Sequence, residues 1–150
     1  MPLTIEVCLT PKLINQHVLQ GKIAIVVDIF RATSCIITAL SENSAAIYPV
    51  STVDECLKLG NQGMLTAGER GGIKIEGFDL GNSPLDYLGK VSGKEIAIST
   101  TNGTIAVEKS KSAEQVIIGS FLNITATLDY LIDQNLPVVI HCAGWRLSLI

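Results

Sequence analysis

Ile23-Ala24-Ile25-Val26-Val27-Asp28-Ile29-Phe30-Arg31-Ala32-Thr33 is the stretch that decides the fold. Its first five residues are all apolar, so the segment has no wet face and reads as a strand buried on both sides, as in a parallel sheet. The strand runs out into a carboxylate, a guanidinium and a hydroxyl. Ala32, Ile36, Ala39 and Leu40 then fall at helical spacing.

The same order recurs on either side. Upstream, Leu3, Ile5, Val7 and Leu9 alternate with Thr4, Glu6, Cys8 and Thr10, which predicts a strand with one wet face, ended by Pro11. Residues 12–20 are expected to hold a short helix. Downstream, 45–50 reads as a strand. Thr52 and Glu55 form a capping box ahead of Val53, Cys56 and Leu57, so a helix follows. Glu95–Ser99 is a strand and Thr104 to about Lys111 a helix. Gln115–Gly119 is a strand, Phe121, Ile124, Leu128, Leu131 and Ile132 make a helical stripe, and Pro137–Cys142 is the last strand. Strands alternating with helices predict one α/β domain over 1–150, three-layered, with a mostly parallel sheet and helices on both faces.

The middle of the chain departs from this pattern. Seven of the thirteen glycines lie between Gly60 and Gly81. The segment also carries Ile73, Ile75, Phe78 and Leu80, so it is no serine-type linker. A long loop inside a compact domain is expected to be a lid or binding loop. Ser83-Pro84 predicts a helix start, with Ser83 as cap and Pro84 in the first turn, and such a start is itself an anion site.

Composition narrows the function. The chain has 150 residues, 47% of them hydrophobic, and a net charge of −3 from 11 basic and 14 acidic side chains. Mean hydropathy is +0.41, which predicts a well-buried interior. No run approaches the roughly 18 apolar residues of a membrane span. The start, Met1-Pro2-Leu3-Thr4-Ile5-Glu6, lacks the basic beginning of a signal peptide, so a cytoplasmic protein with no membrane partner is expected. No basic block interleaved with aromatics occurs, which argues against a nucleic-acid partner. Cys8, Cys35, Cys56 and Cys142 sit in or beside apolar segments with no C-x-x-C spacing, and are read as reduced and buried.

Ligands of such folds gather at the carboxyl ends of strands, where Asp28, Thr100 and Cys142 all fall. After Glu95–Ile98 comes Ser99-Thr100-Thr101-Asn102-Gly103-Thr104, a hydroxyl- and amide-rich turn that opens a helix. Its hydroxyls, free N–H groups and positive helix end suit an oxyanion such as phosphate. With Asp28 and Arg31 at a second strand end, these groups predict metal-assisted chemistry on a phosphate.

Six ordered blocks resemble the 2-phosphosulfolactate phosphatase family. They are Val27-Asp28-Ile29-Phe30-Arg31-Ala32-Thr33, Gly68-Glu69-Arg70, Gly77 to Pro84, Thr100-Thr101-Asn102-Gly103-Thr104, Gly119-Ser120-Phe121-Leu122-Asn123 and Cys142-Ala143-Gly144. The resemblance implies an α/β phosphoric monoester hydrolase that uses Mg2+ to convert 2-phosphosulfolactate to 3-sulfolactate and phosphate, on the way to coenzyme M. It also implies a chain truncated at its C-terminal end, because family chains continue past the Cys-Ala-Gly block, whereas this one stops after Trp145–Ile150.

Site roles follow as expectations. Asp28 and Glu69 are the metal carboxylates, since magnesium takes one or two carboxylates and several waters. Arg31 and Arg70 join them as catalytic residues that grip phosphate or sulfonate oxygens in bidentate fashion. Thr33, Thr100, Thr101, Asn102, Gly103 and Thr104 bind substrate oxygens, with Asn82 and Asn123 behind them. The nucleophile stays open between Asp28 and a metal-bound water. Each assignment has a plainer rival: Asp28 and Arg31 as an internal ion pair, Glu69-Arg70 as a solvated loop, the 100–104 segment as a hydrogen-bonded turn, Asn123 as a helix cap, Asp79 as a loop residue, His141 as a structural histidine, and His17 as exposed. Two other classes compete with the enzyme: a module that binds a phosphorylated metabolite without hydrolysing it, and a nucleotide-binding domain, the latter weakened by the lack of any glycine-rich phosphate fingerprint. An unpaired apolar sheet edge would pair with another copy, giving a homo-oligomer.

Overall fold

The computed structural model describes residues 4–144. Leu3, expected to begin the first strand, and the tail Trp145–Ile150 lie outside the described residues. The α/β architecture is as expected, and its strands divide between two sheets of four. In the first, β1 (Ile5–Cys8), β8 (Val138–Cys142), β2 (Ile23–Val27) and β7 (Gln115–Gly119) lie side by side in that order, all parallel. In the second, the order is β3 (Ala46–Pro49), β6 (Glu95–Ser99), β4 (Leu65–Arg70) and β5 (Ile73–Lys74), parallel except for the β4–β5 hairpin.

Helices cover both sheets. α1 (Ala32–Ser41) buries Cys35, Ile36 and Ala39 against Ala67, Ile96 and Ile98 of the second sheet, and Ile118 of β7 packs on the same cluster. It therefore bridges the two sheets. α3 (Gly103–Lys109) brings Ala106 onto Val26, while α4 (Ile124–Gln134) places Leu131 against Ile23, Ile25 and Val138. α2 (Val53–Gly60) seats Cys56 against Phe78 and Ala97 on the second sheet. Burying such side chains contributes about 1.5–3 kcal/mol each, before chain entropy is subtracted.

Several local expectations hold. Ile23 to Val26 are all buried, as a two-sided strand requires. Thr52 and Glu55 form the capping box in full: each side chain bonds the other's backbone N–H. All four cysteines are unpaired, and three are buried.

Others are corrected. Residues 12–20 hold only a 3-10 turn at Ile14–Gln16. The segment after Ser83 is likewise a three-residue 3-10 turn, Pro84–Asp86, and Ser83 makes no side-chain cap, so no helix start exists there to bind an anion. β1 forms, but its faces are reversed. Ile5 and Val7 are at least half exposed while Cys8 and Thr10 are buried. Cys8 Sγ donates to the Thr10 carbonyl, which lets the polar row turn inward with its donor satisfied. In α4 the stripe is helical, yet Ile124, Leu128 and Ile132 are exposed and only Leu131 is buried. His17 is not simply exposed: its Nδ1 lies 2.9 Å from Glu6 Oε2, and Lys22 pairs with the same carboxylate.

The largest revision concerns the glycine-rich middle. Leu65–Arg70 is a strand inside the second sheet rather than part of a long loop. Gly68 has φ +148°, and a Cβ there would lie 2.0 Å from the Ser99 carbonyl oxygen. Only glycine lets β4 and β6 approach so closely. That contact draws the carboxyl ends of the two strands together.

Candidate active site

Four strand ends meet around one cavity of about 210 Å3. β2 contributes Val27 and, just beyond its end, Asp28, Ile29, Phe30 and Arg31. β4 contributes Glu69 and, after its end, Gly72. Asn102 follows β6 and Gly144 follows β8, while Asn82 arrives from the loop after β5. The cavity thus lies at the carboxyl ends of both sheets, where the backbone leaves loops free to converge.

Asp28 is fixed by its own backbone and by two helix starts. Its N–H donates to Thr33 Oγ1 at 3.0 Å, and its carbonyl accepts from Thr33 N at 3.0 Å. Its carboxylate faces the backbone N–H groups of Ala32 and Gly103, at the first residues of α1 and α3, and that of Arg31. Burial pushes its carboxyl above the ordinary range, and the nearby Glu69 charge adds to the rise, against the pull of the three N–H groups. Gly103 makes this seating possible. A Cβ on it would lie 2.6 Å from Ala32 Cβ and 2.9 Å from Asp28 Oδ2.

Glu69 is buried and already engaged. Oε1 accepts from Thr101 N at 2.7 Å, and Oε2 accepts from Gly72 N at 2.7 Å and Thr101 Oγ1 at 3.0 Å. The carboxylate ties the β4–β5 turn to the turn after β6. Arg31 differs: among the described residues its guanidinium has one long hydrogen bond, 3.5 Å to the Gly72 carbonyl, and forms no ion pair with Asp28.

Asn82 and Asn102 are 8% and 6% exposed. Both line the cavity, and in each the side-chain oxygen Oδ1 is buried without a hydrogen-bond partner. Buried amide oxygens of this kind are normally satisfied. Each of these two oxygens can accept from a cation or a proton donor. Among the described residues no group of three or more His, Cys, Asp or Glu side chains is placed to hold a metal ion, so a cation here would draw on neutral oxygens too.

The model of the family described as 2-phosphosulpholactate phosphatase matches residues 8–149. This chain belongs to that family. Curated relatives named probable 2-phosphosulfolactate phosphatase include proteins from Thermotoga petrophila (47% identical over 126 residues), Carboxydothermus hydrogenoformans (49% over 127) and Clostridium beijerinckii (43% over 145). The matches cover 83%, 83% and 93% of this chain, and 55%, 53% and 61% of those relatives. The chain thus spans little more than half the length of the phosphatases it matches.

Set against the phosphatase motifs, the expected residues divide into three groups. Asp28, Arg31, Glu69, Asn82 and Asn102 share the cavity. Thr33, Thr100, Thr101, Gly103 and Thr104, expected to bind substrate oxygens, are not among its lining residues; Thr33 and Gly103 bond Asp28, and Thr101 bonds Glu69. Thr100 Oγ1 accepts from Thr104 N, Thr104 Oγ1 donates to the Thr100 carbonyl, and both threonines are buried. Arg70 and Asn123 lie elsewhere. Arg70 spends its guanidinium on the carbonyls of Glu69 and Ser99 and on Ser99 Oγ, pinning β4 to β6. Asn123 accepts from Ser120 N and donates to the Ile118 carbonyl, the plainer capping role. Gly72 and Gly144 also line the site; Gly144 belongs to the Cys142-Ala143-Gly144 block, but sequence reasoning gave neither glycine a role. The glycine pair Gly71-Gly72 directly after Glu69-Arg70 was the available signal.

His141 and Asp79 also take plain roles. Buried His141 has Nδ1 2.7 Å from Ser110 Oγ, and burial holds its pKa down to about 4. Asp79 accepts from Thr66 N and Thr66 Oγ1, which holds its carboxyl below the usual range.

Proposed function

We propose that this chain carries the phosphate-handling site of a magnesium-dependent phosphoric monoester hydrolase. Its substrate is 2-phosphosulfolactate, and its products are 3-sulfolactate and phosphate, within coenzyme M biosynthesis in the cytoplasm. The observation that carries the reading is the convergence of Asp28, Arg31, Glu69, Asn82 and Asn102 on one cavity. Family membership gives that cavity its substrate class.

Each residue has a physical task. Arg31, with one long bond to the Gly72 carbonyl among the described residues, offers its planar fork to phosphoryl or sulfonate oxygens. Asp28, held by Gly103, Ala32 and Arg31 N–H groups, presents a carboxylate at a fixed point. Glu69 keeps the Thr101 and Gly72 backbone in place at the cavity wall. The oxygen-only donor set suits magnesium, with Asp28 as the carboxylate whose oxygens carry the fewest protein donors from other side chains. Magnesium, when bound, supplies charge neutralisation on the phosphoryl oxygens.

The test is phosphate release from 2-phosphosulfolactate by the 150-residue chain, in magnesium and in EDTA, with Asp28→Asn alongside. Release that needs magnesium and falls at least a hundredfold in Asp28→Asn is expected. Release that is equal with and without EDTA removes the metal from the reading. The rival outcome is retention of the phosphorylated metabolite without turnover. Tight binding of 2-phosphosulfolactate with no phosphate release would decide for it. Self-association is part of the same proposal. Exposed Ile5, Phe121, Ile124 and Leu128 surround an apolar cleft of about 350 Å3 at the first sheet, and light scattering of the purified chain should show a dimer or larger.

A further inference from the structure

We propose that the side-chain oxygens of Asn82 and Asn102, together with the Asp28 carboxylate, are the protein ligands of one divalent cation, and that Glu69 is a positioning residue rather than a ligand. This rests on reading the cavity as a magnesium-dependent phosphatase site. It goes further by naming the ligand atoms and by removing one of the two expected carboxylates from the set.

Three observations point the same way. First, both asparagines are more than nine-tenths buried, line the cavity and leave Oδ1 without a partner. An amide oxygen hidden from water and bonded to nothing costs about 1–3 kcal/mol. That cost falls away when the oxygen coordinates a hard cation, which accepts amide carbonyls alongside carboxylates. Second, each carboxylate has three donors, but those on Glu69 tie two separate loops together, Thr101 N and Oγ1 after β6 and Gly72 N after β4, whereas those on Asp28 are the N–H groups of Arg31, Ala32 and Gly103 at the starts of α1 and α3. Moving that carboxylate onto a cation would release the turn after β6, which carries Asn102. Third, the two asparagines come from separate loops, one after β5 and one after β6, so their shared cavity wall is a product of the tertiary fold and not of one local turn. The alternative task for these amides, donating N–H to substrate oxygens, would leave both Oδ1 atoms unsatisfied.

The probe is Mn2+ alone, counted as free ion by electron paramagnetic resonance during titration of the 150-residue chain. The variants are Asn82→Ala, Asn102→Ala, Asn82→Asp and Asn102→Asp, each checked for fold by circular dichroism. One Mn2+ per chain is expected for the wild type. Each alanine variant should bind it at least tenfold more weakly, and each aspartate variant at least as tightly as the wild type, because a carboxylate replaces a carbonyl of the same reach. Aspartate at either position should at the same time weaken inorganic phosphate binding, through like charge. Folded alanine variants with wild-type Mn2+ affinity overturn the proposal and leave the phosphatase reading standing. If an alanine variant fails to fold, its aspartate counterpart decides: weaker Mn2+ binding there overturns the proposal as well. A wild type that binds no Mn2+ overturns it together with magnesium dependence. Asparagine-dependent Mn2+ binding in a chain that releases no phosphate supports the ligand assignment and defeats only the catalytic reading.

Discussion

Replacing Glu69 by glutamine tests whether this carboxylate holds the site together. Three donors converge on it: Thr101 N on Oε1, and Gly72 N with Thr101 Oγ1 on Oε2. A glutamine keeps one carbonyl oxygen and gains an NH2, which cannot accept. If the NH2 faced Thr101 N, a part-buried backbone N–H would lose its partner. The cheaper orientation keeps the carbonyl on Thr101 N, lets the NH2 donate to the rotated Thr101 hydroxyl, and frees Gly72 N–H, which belongs to an exposed residue, to bond water. The loss is then one charge-assisted bond and the charge on the other, about 1.5–3 kcal/mol in total. Glu69→Ala abandons all three donors and should cost about 3–5 kcal/mol. Urea unfolding would read the stability. Amide hydrogen exchange would read the geometry, with Gly72 exchanging much faster in the glutamine variant and Thr101 staying protected. Wild-type stability with both amides still protected would refute the idea that Glu69 is a structural tie.

Other expectations follow from the same geometry. Gly103→Ala places a methyl 2.6 Å from Ala32 Cβ and 2.9 Å from Asp28 Oδ2, so it should cost about 1–3 kcal/mol in a urea melt and displace the Asp28 carboxylate, read as weakened Mn2+ binding. His141 should make the protein acid-sensitive. Its pKa is about 4 in the folded chain, against about 6.5 when unfolded, so the proton favours the unfolded state, and stability present above about pH 6.5 is lost as pH falls towards 4. The difference amounts to about 2 kcal/mol at pH 5 and about 3 kcal/mol at pH 4. Urea midpoints at several pH values should show this loss in the wild type and a flatter profile in His141→Gln, and equal profiles for the two would remove His141 as its source.

What the sequence disclosed is local chemistry with a clear period. The run Ile23–Val27 announced a doubly buried strand, and the Thr52–Glu55 spacing announced a cap, because each depends on residues close along the chain. β4 was hidden because its closeness to β6 depends on a missing side chain at Gly68, and a glycine in isolation reads as a break. β1 misled for a different reason. Its alternation fixes which residues share a face, but the direction of that face is set by partners distant in sequence: β8 beside it and the Cys8 bond to Thr10. The candidate site shows the same division. Residue types at Asp28, Arg31, Asn82 and Asn102 were visible as motif members. That Arg70 and Asn123 are occupied elsewhere is a fact of hydrogen-bond partners, which no spacing reveals.

The electrostatics of the cavity give these parts an order. A turn such as Thr100–Thr104 suits phosphate on sequence grounds because its helix start offers free N–H groups. In the folded chain the Gly103 N–H, and that of Ala32 at the start of α1, face the Asp28 carboxylate instead. The protein's own anion therefore takes up the positive ends that a phosphate would use. Among the described lining residues the two carboxylates of Asp28 and Glu69 face the one guanidinium of Arg31, a balance that disfavours an anion bringing no cation with it. Two unpartnered amide oxygens add dipoles of the same sense. Helix starts that hold a carboxylate, oxygens left without donors, and an Arg31 guanidinium with one long bond among the described residues, to the Gly72 carbonyl, all fit the proposed order of binding: a cation first, then an anion that Arg31 grips.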